Sequence, residues 1–168
     1  MIEKCREGDQ RAQFELYRLY YKAMYNVSLR IVNDEFDAED IMQEAFLGAF
    51  NKMDTYQGEV SFGAWLKKIV INRSLDCLKK RKVKFEEVNE KTMELPDEGA
   101  THLNVNVDML KRAIRQLSDG YRTVLSLYLL EGYDHDEIGD ILNISSSTSR
   151  SQFTRAKAKL KEQLSKKR

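Results

Sequence analysis

Apolar side chains recur along this chain at intervals of three and four residues, a spacing that predicts helices throughout. The strongest run is Ala38, Ile41, Met42, Ala45, Phe46, Ala49, Phe50 and Met53, one face of an amphipathic helix. Its opposite face collects Asp40, Gln43, Glu44, Leu47 and Asn51. A second helix is predicted from Ser61, a good N-cap residue. There Phe62, Leu66, Ile69, Val70 and Cys77 face a core, and Trp65, Lys68, Asn72, Asp76 and Lys79 form a separate stripe. Upstream, Gly8-Asp9 breaks a short first segment and Asp9 can cap a helix carrying Phe14, Tyr17, Tyr21, Met24 and Tyr25 towards Val32. Asn33 to Phe36 reads as a polar turn. The aromatics Tyr17, Tyr20, Tyr21, Tyr25, Phe46 and Phe50 are material for a core.

Past Lys84 no apolar period persists until Asp108, and the stretch holds Pro96, Gly99 and a surplus of acids. Residues 85–107 are therefore predicted to be a flexible linker between a helical domain at 1–84 and another at 108–168. Its acidity either keeps it off the basic surfaces or mimics nucleic acid in a partner's channel. In the second domain Leu110, Ala113, Ile114 and Leu117 share a face, and Ser118 is placed to cap a helix through Val124, Leu125, Tyr128 and Leu129 that ends at Gly132. Asp134 and Glu137 have capping-box spacing ahead of Ile138, Ile141 and Leu142. Asn143-Ile144-Ser145 then makes a turn, and a last helix starts at Ser146 or Ser147. Two short helices, a tight turn and a longer basic helix predict a helix-turn-helix. Phe153, Ala156, Leu160 and Leu164 point inward from the last helix, Ser147, Ser151, Thr154 and Arg155 point out, and Arg150 lies at the edge.

Charge divides these elements by partner. From Asp34 to Glu59 there are eight acids and one base, and from Lys67 to Lys84 eight bases and one acid. Ser145 to Arg168 carries eight bases and one acid, so a net charge of +1 conceals strong segregation. Leu47, apolar on an acidic face, is open to two readings: an ordinary exposed leucine, or the anchor of a docking ridge against a basic or mixed surface. The Trp65 stripe is likewise either a solvated basic face with a half-buried Trp or a contact for phosphates and stacked bases. On the last helix, small hydroxyls allow close approach to a groove floor, and Arg can bond guanine bidentately or pair with phosphate.

One third of the residues are charged, 42% are apolar and one is Pro, which favours an all-α fold of two small helical domains. No apolar run is long enough to span a bilayer, and Met1-Ile2-Glu3-Lys4 lacks a signal peptide's apolar stretch, so a cytoplasmic protein without membrane insertion is expected. Cys5 and Cys77 are expected as free thiols, and His102 and His135 have no metal-ligand spacing. No metal or cofactor is implied. A nuclease built on Asp37, Glu39, Asp40 and Glu44 is disfavoured because those carboxylates lie at different helix angles. A helix-turn-helix repressor or activator, which binds duplex DNA tightly by itself, would not need the acidic ridge.

The run Asp37-Ala38-Glu39-Asp40-Ile41-Met42-Gln43-Glu44-Ala45-Phe46, then Phe62, Trp65-Leu66, Asn72 and Asp76, then a helix-turn-helix ending Thr154-Arg155-Ala156-Lys157 and Lys159-Leu160, resembles bacterial sigma factors of the sigma-70 family, in the extracytoplasmic-function group. The resemblance covers nearly the whole chain outside the linker. It implies that 1–84 is sigma region two and 108–168 sigma region four, and that the chain binds core RNA polymerase and directs promoter recognition, opening and transcription initiation without being an enzyme. Asp40, Gln43, Glu44, Leu47 and Asn51 would dock on the polymerase clamp. Tyr56, Gln57, Gly58, Phe62, Trp65, Lys68, Asn72 and Lys79 would capture the melted non-template strand of the minus-ten element. Ser147, Arg150, Ser151, Thr154 and Arg155 would read the duplex minus-thirty-five element. An anti-sigma factor is an implied partner. One departure stands out: Ser149 occupies an inward position where the family usually has a branched apolar residue, which implies weaker packing of the recognition helix's first turn.

Overall fold

The computed structural model describes residues 1–81 and 106–166, and every regular element in them is helical. Apart from its last two residues, the predicted linker lies outside the described residues. The chain divides into two compact units at Lys82/Val83.

In the first unit α1 (Ile2–Arg6), α2 (Gln10–Val32), α3 (Glu35–Asn51) and α4 (Phe62–Lys80) follow in order, with a 3₁₀ turn at Met53–Thr55. Asp9 caps α2 by accepting from the amides of Arg11 and Ala12, at 2.8 and 3.1 Å. α2 stops where Asn33 takes a left-handed conformation, φ 54°, and Asp34 at once caps α3 by accepting from the Asp37 amide at 2.9 Å. Ser61 caps α4 through the Ala64 amide. The three long helices pack on one another and bury Met24, Val27 and Ile31 of α2, Ile41, Met42 and Phe46 of α3, and Leu66, Val70, Ile71 and Leu78 of α4. Ser74 Oγ donates to the Val70 carbonyl at 2.8 Å and shares a second bond with Ser28 Oγ at 2.9 Å, so both of these buried hydroxyls have a partner.

Three features differ from the sequence reading. The turn after α2 is only Asn33-Asp34, because left-handed Asn33 turns the chain and Asp34 at once caps α3; Glu35 and Phe36 therefore belong to the helix. Phe14 lies on the outer side of α2 and is exposed. Of the six core aromatics expected, Phe46 is buried, and Tyr17, Tyr20, Tyr21, Tyr25 and Phe50 are half-buried around it. Their bulk is too great for the space between three close helices, so they line its rim, with Tyr17 edge-on to Phe46 at 4.8 Å.

The second unit contains α5 (Val107–Arg115), α6 (Asp119–Leu129), α7 (His135–Leu142) and α8 (Ser146–Ser165). α5 begins one residue before Asp108, because Asn106 caps it by accepting from the Asp108 amide at 2.7 Å. Ser118 holds the N-cap position of α6 without a side-chain bond. Beside it, buried Arg122 donates to the Leu117 carbonyl at 2.8 Å and pairs with Asp119. Leu117, Leu125 and Ala156 form the core, with Ile114, Tyr121, Phe153 and Leu160 packed against it. Residues 122–127 of α6 are all buried, since α6 runs through the middle of the unit, while Leu129 at its end is exposed. The Asp134–Glu137 capping box forms at both bonds.

Ser149 is fully buried, and its hydroxyl lies 2.9 Å from His135 Nδ1. The ring of His135 stacks on Tyr128 at 4.5 Å and meets Phe153 at 5.6 Å. The serine thus replaces the lost apolar packing of α8's first turn with a hydrogen bond to α7.

Two expectations follow. Leu66 is 0% exposed and Leu47 64% exposed. Leu66→Ala should lower unfolding free energy by about 2–5 kcal/mol in a denaturant melt, whereas Leu47→Ala should change it by less than about 0.5 kcal/mol. Burial, aided by Arg150 and opposed by Asp134 and Asp136, pushes the His135 pKa below its ordinary 6.5. The unfolded chain takes up this proton as pH falls through about 6.5, while the folded chain resists until a lower pH. Stability from His135 is therefore present above that value and lost on acidification. His135→Gln should flatten the decline of the second unit's melting temperature between about pH 7 and pH 5.

Candidate functional site

Three surfaces carry the residues singled out by sequence. On α3, burial of Ala38, Ile41, Met42, Ala45, Phe46 and Ala49 turns Asp40, Gln43, Glu44, Leu47 and Asn51 to solvent, and all five are exposed. Gln43 Nε2 donates to Glu39 Oε1 at 3.3 Å, and Glu44 pairs with Arg73 of α4 at 2.8 Å. Asp37 pairs with Arg81 at the end of α4 and accepts from the Cys77 thiol, whose pKa burial pushes up. The acids nearest α4 are thereby neutralised, and the free face is a polar strip around one leucine.

The second surface begins at the loop before α4. Tyr56, Phe62 and Trp65 form a mutual aromatic cluster, with ring centroids 5.7, 5.3 and 5.6 Å apart. Phe62 is 5% exposed, so it supports the half-buried rings of Tyr56 and Trp65 from beneath. The Tyr56 hydroxyl donates to the Val60 carbonyl at 2.7 Å and closes the loop. Gly58, at φ 78°, supplies the left-handed residue that this closure needs. Arg6 of α1 donates to the carbonyls of Met53 and Tyr56, pinning the loop to the body of the unit. Gln57 and Gly58 are exposed at the tip. From Trp65 the stripe continues along α4 through Lys68, Asn72 and Lys79, all exposed, with Asp76 3.6 Å from Lys79.

The third surface is α8. The Ser145 hydroxyl accepts from the Thr148 amide at 3.1 Å and lies 2.9 Å from Ser147 Oγ, so Ser147 belongs to the helix's cap. The turn before it is tight: a Cβ on Gly139 would come within 2.8 Å of the Ile144 carbonyl, so only glycine lets α7 approach the start of α8 this closely. Arg150 Nη1 donates to Ser146 Oγ at 3.2 Å. Arg150, Ser151 and Thr154 are exposed and Arg155 is half-buried. Lys157 lies over the Phe153 ring at 4.8 Å. Lys159 and Lys166 clamp Glu162, whose carboxyl they hold down to about 2. The one acid of this helix is thus neutralised by its neighbours.

The residues chosen on α3 and along the Lys68–Lys79 stripe are exposed as expected, Arg155 is half-buried where an outward place was expected, and the structure brings Tyr56, Phe62 and Trp65 into one cluster. Sequence reasoning missed Arg6, whose partners lie up to 50 residues away, and Phe36, which had been assigned to the turn. Phe36 had one signal: it lies four residues before Asp40 and eleven before Leu47, on the same helical face. Among the described residues no group of three or more His, Cys, Asp or Glu side chains could hold a metal ion. No described helix is long and apolar enough to cross a membrane.

Comparison with known proteins bears on both units. Residues 16–83 match the family model of sigma-70 region 2, and residues 108–160 match that of sigma-70 region 4. The chain is 28% identical to the ECF RNA polymerase sigma factor SigW of Bacillus subtilis, over 97% of this chain and 94% of that protein. It is 30% identical to the ECF RNA polymerase sigma factor SigE of Mycolicibacterium smegmatis, over 95% of this chain and 65% of that protein. In fold it is similar to the sigma factor RpoE of Bartonella quintana, solved with the anti-sigma factor NepR, at TM-score 0.62 and 22% identity over 92% of this chain and 97% of that one. It also resembles CnrH, solved with the cytosolic domain of CnrY, at TM-score 0.57 and 22% identity over 98% and 94% of the two chains. With a region 2 match on the first helical unit and a region 4 match on the second, in that chain order, the chain belongs to the sigma-70 family of transcription initiation factors, in its extracytoplasmic-function group.

Proposed function

We propose that the chain works by dividing three contacts among the three surfaces described. Residues 1–84 dock on core RNA polymerase through Asp40, Gln43, Glu44, Leu47 and Asn51. The same region holds melted minus-ten DNA with Tyr56, Gln57, Gly58, Phe62, Trp65, Lys68, Asn72 and Lys79. Residues 108–168 read the duplex minus-thirty-five element with Ser147, Arg150, Ser151, Thr154 and Arg155, and residues 85–107 tether the two. The protein performs no bond-making step itself; polymerase supplies the chemistry. An anti-sigma factor is a further partner in this reading.

The observation that carries the proposal is the aromatic cluster of Tyr56, Phe62 and Trp65, set at the head of a lysine stripe on the same bundle as an acidic ridge with an exposed leucine. A base taken out of its stack needs a flat apolar wall, polar groups for its edge and cations for its backbone. The rings provide the wall, Gln57 and the loop amides the polar groups, and Lys68 and Lys79 the charge. Stacking contributes about 1–3 kcal/mol per base, too little for a small unit to melt a duplex alone. Opening therefore draws on polymerase binding, and this surface traps the strand once it is open.

The test assembles the full chain with core polymerase and offers non-template single strands of varied sequence. Binding should be sequence-selective, weaken with salt, and drop roughly tenfold or more in Trp65→Ala and Lys68→Ala. Equal binding of all strands, or preference for intact duplex, contradicts the assignment. For α8, Arg155→Ala in the holoenzyme should lose about 1–3 kcal/mol on duplex promoter and relax preference at one base pair. Uniform weakening over all sequences would make Arg155 a phosphate contact, and an unchanged affinity would remove it from the interface.

A further inference from the structure

Phe36 is 83% exposed in the first turn of α3, although a phenylalanine on a polar helix face gains nothing there from water. Leu47 follows eleven residues later, about 16 Å along the axis and about 20° around it. Asp40 and Gln43 lie between them on the same line, at helical spacings of four and three. The outer face of α3 is thus an apolar residue, two polar ones and a second apolar residue, in one straight row.

We infer that Phe36 is a second apolar anchor of the polymerase-docking ridge, which extends one helical turn further towards the N-terminus of α3 than Asp40. The inference rests on the docking reading given above and lengthens that surface. Two anchors three turns apart fix the direction of a helix on its partner, whereas one leucine alone leaves it free to pivot.

Charge selects the occupant. Asp40 lies in the row and Glu35 and Glu39 border it, while Glu44 is held by Arg73. Nucleic acid would be repelled by these carboxylates, and a second copy packed face to face would set acid against acid. What remains is a protein surface with apolar recesses and bases between them, continuous with the partner of Leu47. Polymerase is therefore the occupant assigned to Phe36.

The experiment measures binding of the full chain to core RNA polymerase for Phe36→Ala, Phe36→Glu, Phe36→Leu and Leu47→Asp, with unfolding midpoints and light scattering on each variant. Phe36→Ala should weaken core binding roughly tenfold with an unchanged midpoint, and Phe36→Leu should retain most of the affinity. Phe36→Glu keeps a residue suited to a helix's first turn, so it should fold normally and bind still more weakly. If Leu47→Asp abolishes binding while Phe36→Ala and Phe36→Glu bind normally, the second anchor is wrong and the docking ridge stands. If Leu47→Asp binds normally, the ridge itself is wrong and the second anchor falls with it. Loss of self-association with core binding intact would overturn the assignment in favour of a second copy of this chain.

Discussion

The first unit depends on how closely α3 sits against α2 and α4. Ala38, Ala45 and Ala49 are each 0% exposed, so the seam of α3 is made of side chains too small to hold its neighbours away. Larger residues, Ile41, Met42 and Phe46, fill the spaces between them. Once that seam is fixed, helical geometry leaves no choice about the other side: Phe36, Asp40, Gln43 and Leu47 must point outward in a row. An apolar side chain on that row cannot be recovered by the core of the unit. It is either wasted or kept for a partner, and two of them in line favour the partner.

The same logic underlies the proposed division between protein and nucleic-acid contacts. α3 neutralises its inner acids with Arg73 and Arg81, while its outer acids remain at the surface. α4 turns lysines outward and buries its apolar face, and the loop before it is held shut by Arg6 and by the Tyr56–Val60 bond. A shut loop presents its rings in one fixed arrangement, which lowers the entropy lost when a base stacks on them. On α8 the acid is neutralised and the outward residues are short hydroxyls and arginines, so the helix can lie close to a phosphate backbone.

Much of this was legible in the sequence because it depends on residues close together. The apolar period of α3, the Ser61 cap, the Asp134–Glu137 box and the outward place of Leu47 all follow from spacings of three and four. What was not legible depends on partners far apart in the chain. Ser28 and Ser74 are 46 residues apart, the Arg6 link to the loop spans 50, and Ser149 meets His135 across 14. Taken alone, Ser149 reads as a packing defect; only when α7 and α8 are folded together does it find a hydrogen-bond partner. Phe36 was misplaced for a different reason: the turn signal of Asn33-Asp34 was extended over residues that Asp34 had already capped into the helix.

The central claim is that these surfaces act together on polymerase and promoter. The direct measurement is transcription from a genomic library by core polymerase, with this protein as the sole sigma factor. The account predicts initiation that requires the protein and starts downstream of one class of promoter, with two sequence elements at a fixed separation. Initiation without sequence preference, or tight duplex binding by the protein alone with no transcription, would contradict it.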